Sequence, residues 1–136
     1  IREALRDGSI DALCTDHTPV DEDEKQVPFG ESAPGASGVE LLLPLTLKWA
    51  REMGIPLLQA LDLISWKPAQ ILGVPGGNLA VGSCADICIF DETAEWVVTP
   101  KTLASQGGNS PFLNHPMQGR VRYTLIDGHI DFESPH

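Results

Sequence analysis

Residues 10–19 read IDALCTDHTP, and this decamer decides how the rest of the chain is interpreted. Ile10 to Cys14 is an apolar run of buried-strand length. It gives way at once to the polar group Thr15, Asp16, His17 and Thr18, and Pro19 ends any regular structure there. A carboxylate at the C-terminal end of a buried parallel strand is where barrel enzymes place catalytic groups. Carboxylate and imidazole are also good zinc ligands. A plainer role fits the same spacing, with Asp16 capping the following turn and His17 packing against it. Spacing alone leaves both open.

Working outward, Ile1 to Ile10 (IREALRDGSI) reads as the end of a helix, a turn at Gly8 and entry into the strand. Opening in mid-pattern without Met, the chain reads as part of something longer. Beyond the decamer, Thr15 to Ser37 is one long loop containing the acidic run DEDEK (Asp21 to Lys25) and a Pro/Gly/Ser/Ala-rich stretch. Loops of that length in compact domains are usually functional or disordered. From Gly38 to Met53 a helical pattern returns Leu41, Leu42, Leu45, Trp49 and Met53 to one face, with Pro44 near its first turn and Gly54 as its stop. Leu57 to Ile64 is a second short helix. A third has Pro68 at its first helical position and Gly73 just past its end.

At Val74 the texture changes to short strands: Asp86–Asp91 (DICIFD), Glu95–Val98, an alternating Gly119–Ile126, and His129–Phe132 after the hairpin turn Asp127-Gly128. The division is residues 1–73 and 74–136, and the class is α/β.

The 136 residues carry a net charge of −10, which disfavours a nucleic-acid backbone or an anionic membrane surface as partner. No apolar stretch is long enough to span a bilayer, since Val39–Leu47 is broken by Glu40, Pro44 and Thr46. No signal peptide is visible. Cys14, Cys84 and Cys88 read as buried free thiols in a reducing cytoplasm. His115, His129 and His136 lack ligand spacing with one another or with His17, and read as surface or turn histidines. DEDEK reads as a solvated loop, without the alternating oxygens and bend glycine of a calcium site. Pro34-Gly35 and Gly38 could bring backbone amides close to a ligand. Trp49, Trp66 and Trp96 read as packing residues.

Read in order, the segments resemble the C-terminal third of bacterial dihydroorotases of the type that associates with aspartate transcarbamoylase. The matching pieces are CTDHTP (14–19), EKQVPF (24–29), APGASGVELLLPL (33–45), SWKPAQILGV (65–74) and VGSCADICIFD (81–91). EWVV (95–98), GNSPF (108–112) and QGRVRYTLIDG (118–128) complete the series. The resemblance implies a (β/α)8 amidohydrolase barrel beside a small β-sandwich domain assembled from both chain ends. Residues 1–73 would carry the last barrel strand, the active-site loop and the following helices; residues 74–136 would be part of the β-rich domain. Asp16 then matches the family's metal-bound aspartate at the end of the eighth strand. Its implied role is to ligate zinc, take a proton as the ring amide is attacked, and hand it to the leaving nitrogen. His17 would stand behind it, and Pro34 and Gly35 match a loop that touches substrate through its backbone. The implied reaction interconverts carbamoyl-aspartate and dihydroorotate in cytoplasmic pyrimidine synthesis.

Two departures stand out. The family pattern is Asp-His-Ala-Pro-His, and its second histidine helps hold the substrate carboxylate; here that position is Val20. Losing a charge-assisted contact costs about 1.5–3 kcal/mol. The remaining metal ligands of the family lie on earlier strands, outside this chain. Val20 therefore also fits a non-catalytic homologue serving as structural partner of aspartate transcarbamoylase. An allantoinase or hydantoinase relative is the third alternative. A lone barrel strand leaves backbone edges unpaired, so the segment by itself is expected to fold poorly.

Overall fold

The structure is a computed structural model and describes residues 1–134. Helix α1 (Arg2–Asp7) ends where Gly8 takes a left-handed conformation, φ 81°. The long loop follows, interrupted by one 3-10 turn at Asp23–Lys25. A second 3-10 turn, Val39–Leu41, leads into α2 (Leu42–Met53), and α3 (Leu57–Asp62) and α4 (Trp66–Leu72) come next. Strands β1 (Ile87–Val97), β2 (Pro116–Ile126) and β3 (His129–Glu133) form one antiparallel sheet in the order β1-β2-β3.

Two apolar clusters hold these elements. The first joins Leu5 of α1 to Trp49 and Ala50 of α2, Ala60 of α3 and Leu63, with Ile10 and Leu13 packed against it. The second joins Leu41, Val98 and Met117, flanked by Leu45, Trp96, Leu103 and Phe112. Helix α2 serves both. The sequence pattern gave it one apolar face, but Pro44, Thr46, Leu47, Trp49 and Ala50 are all buried because it is packed from two sides. The buried Thr46 hydroxyl is satisfied by the Leu42 carbonyl, 2.7 Å away. Pro44, at the third helical position, costs no hydrogen bond, since the first N–H groups of a helix have no intrahelical partner.

Several expectations are corrected. Ile10–Cys14 is not in a strand: Leu13 donates a single backbone bond to Leu63, and no neighbouring strand lies beside the segment among the described residues. A parallel strand exists only by pairing, so an apolar run without partners stays irregular. The three cysteines are free, as expected, but exposed rather than buried. Trp49 is buried, whereas Trp66 is exposed; Pro68 is the third residue of α4 rather than the first. The two strands expected at 86–91 and 95–98 are one strand with an irregularity between Asp91 and Glu95. The Asp91 carboxylate builds that irregularity, accepting from the Thr93 amide and hydroxyl and from the Ala94 amide. Gly119–Ile126 does pair as a strand, but from Arg120 to Leu125 every residue is half-buried, so no clean alternation survives.

The hairpin turn is as read: Asp127 and Gly128 both have positive φ, 49° and 80°, the pairing a type I′ turn requires. His115 and His129 are exposed, and His136 lies outside the described residues. Among the described residues no helix is long and apolar enough to cross a membrane.

Candidate active site

The functional candidates gather where the irregular segment 15–19 meets the loop 33–38. Asp16 sits at φ 48°, a left-handed conformation that Asp tolerates better than most residues. It is exposed, and its carboxylate makes no hydrogen bond or ion pair among the described residues. It caps no turn. The capping group is instead His17, whose Nδ1 accepts from the backbone amides of Gly38 (3.1 Å) and Val39 (3.2 Å) at the start of the 3-10 turn preceding α2.

The two segments are tied at further points. Thr18 donates its amide to the Ala36 carbonyl at 3.0 Å. Gly35, at φ 135°, lies so close to Thr18 that a Cβ there would stand 2.4 Å from the Thr18 carbonyl oxygen. Only glycine allows that approach. Pro34 is exposed beside it, and Lys25 reaches back from the acidic run to the Ala33 carbonyl.

A third segment closes the arrangement. Asn109 donates through Nδ2 to the Gly35 carbonyl at 3.0 Å and accepts from the Ser37 amide on its own carbonyl at 2.6 Å. The Ser37 hydroxyl, on a buried residue, donates to the Gly107 carbonyl. Glu40 fixes the same connection by accepting from the amides of Ala104 (2.8 Å) and Ser105 (2.9 Å). A cleft of about 630 Å³ opens between residues 17–25 and the connection at 105–109, lined by His17, Val20, Lys25, Gln106 and Asn109 among others. Val20, the apolar residue at the position of interest, is thus on its wall.

The structure therefore joins the segment carrying Asp16 and His17 to the loop carrying Pro34 and Gly35, but of the four only His17 lines the cleft. Sequence reasoning missed Asn109 and Glu40. Asn109 lies within a quoted motif, yet an Asn between Gly and Ser reads as loop punctuation, and its partner is 74 residues away.

Comparison with known proteins decides the family. The amidohydrolase family profile matches residues 1–130. The chain belongs to the amidohydrolase family. Similar proteins include a dihydroorotase of Geotalea daltonii, 44% identical over 130 residues, covering 96% of this chain and 31% of the relative. A dihydroorotase-like protein of Pseudomonas aeruginosa is 42% identical over 133 residues, covering 98% and 31%. Among solved structures, the L-hydantoinase (dihydropyrimidinase) of Arthrobacter aurescens superposes with TM-score 0.87 at 28% identity, over 99% of this chain and 31% of that one. The dihydropyrimidinase of Brevibacillus agri gives 0.89 at 27% identity, over 97% and 30%. This amidohydrolase segment thus spans about 31% of the length of the curated relatives it matches.

The family is generally metal-dependent. The exposed, unengaged carboxylate of Asp16 suits one ligand position, but no group of three or more His, Cys, Asp or Glu among the described residues could hold a metal ion. His17 Nδ1 is already occupied by two backbone donors. The described residues do not by themselves form a metal centre.

Proposed function

We propose that the full-length protein is a dihydroorotase-type cyclic amidohydrolase interconverting carbamoyl-aspartate and dihydroorotate, acting in the cytoplasm. The observation that carries this reading is the unengaged Asp16 carboxylate two residues before Thr18, against which the Gly35 loop is packed, in a chain whose curated relatives are named dihydroorotase. In this reading residues 1–73 contribute the end of a (β/α)8 barrel with its active-site loop, and residues 74–136 contribute part of a small β-domain.

Asp16 contributes one zinc ligand, the others coming from elsewhere in the longer protein. A bound zinc would polarise the ring carbonyl and lower the pKa of water towards about 7. Asp16 then accepts a proton on its carboxylate as the ring amide is attacked and returns it to the leaving nitrogen. The backbone at Pro34 and Gly35 orients the ring, and its rigidity follows from the Asn109 and Thr18 contacts.

A second reading is favoured by Val20, which offers neither a hydrogen bond nor charge to a substrate carboxylate. It makes the protein a non-catalytic homologue that partners aspartate transcarbamoylase. A test on the full-length protein separates the two: metal content, with hydrolysis of dihydroorotate, a hydantoin and allantoin. Stoichiometric zinc and dihydroorotate turnover that Asp16→Asn abolishes support the enzyme. Absence of both metal and turnover supports the structural partner, and preference for a hydantoin or allantoin would move the substrate assignment.

A further inference from the structure

We propose that His17 is a positioning residue, its Nδ1 serving as the acceptor that fixes the Gly38–Val39 end of the loop carrying Pro34 and Gly35 relative to Asp16. The inference rests on the reading of that loop as substrate-contacting.

Two amides, Gly38 at 3.1 Å and Val39 at 3.2 Å, converge on one ring nitrogen across 21 and 22 residues of sequence. These are the first N–H groups of the Val39–Leu41 turn that leads into α2, groups that have no partner of their own within a helix. A side-chain acceptor at such a position defines where the turn begins and so where the chain before it must run. That preceding chain is Gly35 to Ser37. His17 is the covalent neighbour of Asp16, so the same residue sets the carboxylate and the loop in one frame. The other fastenings of the loop, Thr18 to Ala36, Asn109 to Gly35 and the Ser37 amide and hydroxyl to Asn109 and Gly107, do not involve the Gly38 and Val39 amides.

The arrangement also fixes the tautomer. A nitrogen that accepts from two N–H groups carries no proton itself, so Nδ1 is the acceptor of the ring. The ring lines the cleft that Val20 shares.

The experiment uses the full-length protein with H17A, H17N and H17Q. The Asn carbonyl reaches about where Nδ1 lies, whereas the Gln amide reaches towards Nε2, so only H17N preserves the acceptor. Expected for H17A and H17Q are amide exchange at Gly38 and Val39 faster by roughly tenfold or more, KM raised more than kcat is lowered, and metal content unchanged. H17N should restore exchange protection and KM. Nitrogen spectra of the labelled wild-type ring should report an unprotonated Nδ1.

Wild-type exchange in H17A, H17Q performing as well as H17N, a protonated Nδ1, or metal lost with the ring would each overturn the proposal. If the full-length protein hydrolyses no cyclic amide, the proposed function fails by itself. The exchange and tautomer measurements still decide the role of His17.

Discussion

Replacing Gly35 with alanine tests whether the tight approach of the loop to the Asp16 segment matters for chemistry. The added Cβ would lie 2.4 Å from the Thr18 carbonyl oxygen, 3.0 Å from its Cγ2 and 3.1 Å from its Cβ. The nearest of these is backbone, so no rotamer change relieves it. Carbon and oxygen settle at roughly 3.4 Å, so loop and segment must part by about 1 Å. At φ 135° an L side chain is also strained, at a cost on the order of 1–3 kcal/mol. A misplacement of about 1 Å around a reacting centre costs roughly a hundredfold in rate, or about 2.7 kcal/mol of barrier.

Gly38→Ala is the control on the same loop. Its φ is −148°, and its Cβ would meet the Thr15 carbonyl at an ordinary 3.5 Å. The assay is steady-state hydrolysis of dihydroorotate by the full-length protein, with metal content and exchange of the Thr18 amide measured alongside. G35A should lose about a hundredfold in kcat/KM and exchange Thr18 faster, while G38A stays within about threefold of wild type. G35A at wild-type activity, or G38A equally damaged, would refute the reasoning.

Other outcomes follow from the β-region. Asp91 is held at about 2, below its ordinary 3.8, chiefly by bonds from the Thr93 hydroxyl and amide and then by Arg122. Its folded-state value is depressed, so the stability it contributes is present above pH 3.8 and is lost as pH falls through about 2. Thermal midpoints between those limits should therefore fall more steeply for wild type than for D91N; parallel curves would remove Asp91 from the account. Gly119→Ala should destabilise by about 1–3 kcal/mol through overpacking, because its Cβ would stand 2.5 Å from Leu47 Cδ1 and Leu47 is only 2% exposed. Urea midpoints check it: the losses from L47A and G119A should be less than additive in the double variant, and an unchanged G119A midpoint would contradict the packing.

What the sequence made legible was local chemistry. Gly8, Gly54 and Gly73 all take the left-handed conformation at helix ends, and Asp127-Gly128 turns the hairpin. Each depends on a few adjacent residues. What stayed hidden depends on distant ones. Ile10–Cys14 has the composition of a strand but not the neighbours, and Cys14 is exposed for the same reason. One carboxylate, Asp91, joins what composition divided into two strands. At the site, Asp16 and His17 were visible as a dipeptide at the end of an apolar run. That His17 rather than Asp16 is the capping group was not, because Gly38 is 21 residues away and no periodicity links them.

Surface area bears on how this chain exists. A compact monomer of 14.7 kDa exposes about 6,900 Å², whereas this one exposes 9166 Å². The excess is roughly 2,300 Å², well beyond the ~800 Å² that each partner gives to a standard interface. Large apolar side chains contribute to the exposed surface: Leu58, Leu72 and Leu79 are 76%, 72% and 82% exposed, and Phe29 and Val81 are essentially bare. The backbone of residues 10–14 adds unpaired polar groups that a sheet would satisfy. Cover on that scale matches the rest of a longer amidohydrolase better than a transient partner. The 136-residue chain produced alone should therefore aggregate or melt without cooperativity, whereas the full-length protein should unfold in a sharp transition. A monomeric 136-residue chain with its own sharp thermal transition would mean that the two apolar clusters suffice, and that the bare surface is tolerated rather than awaiting cover.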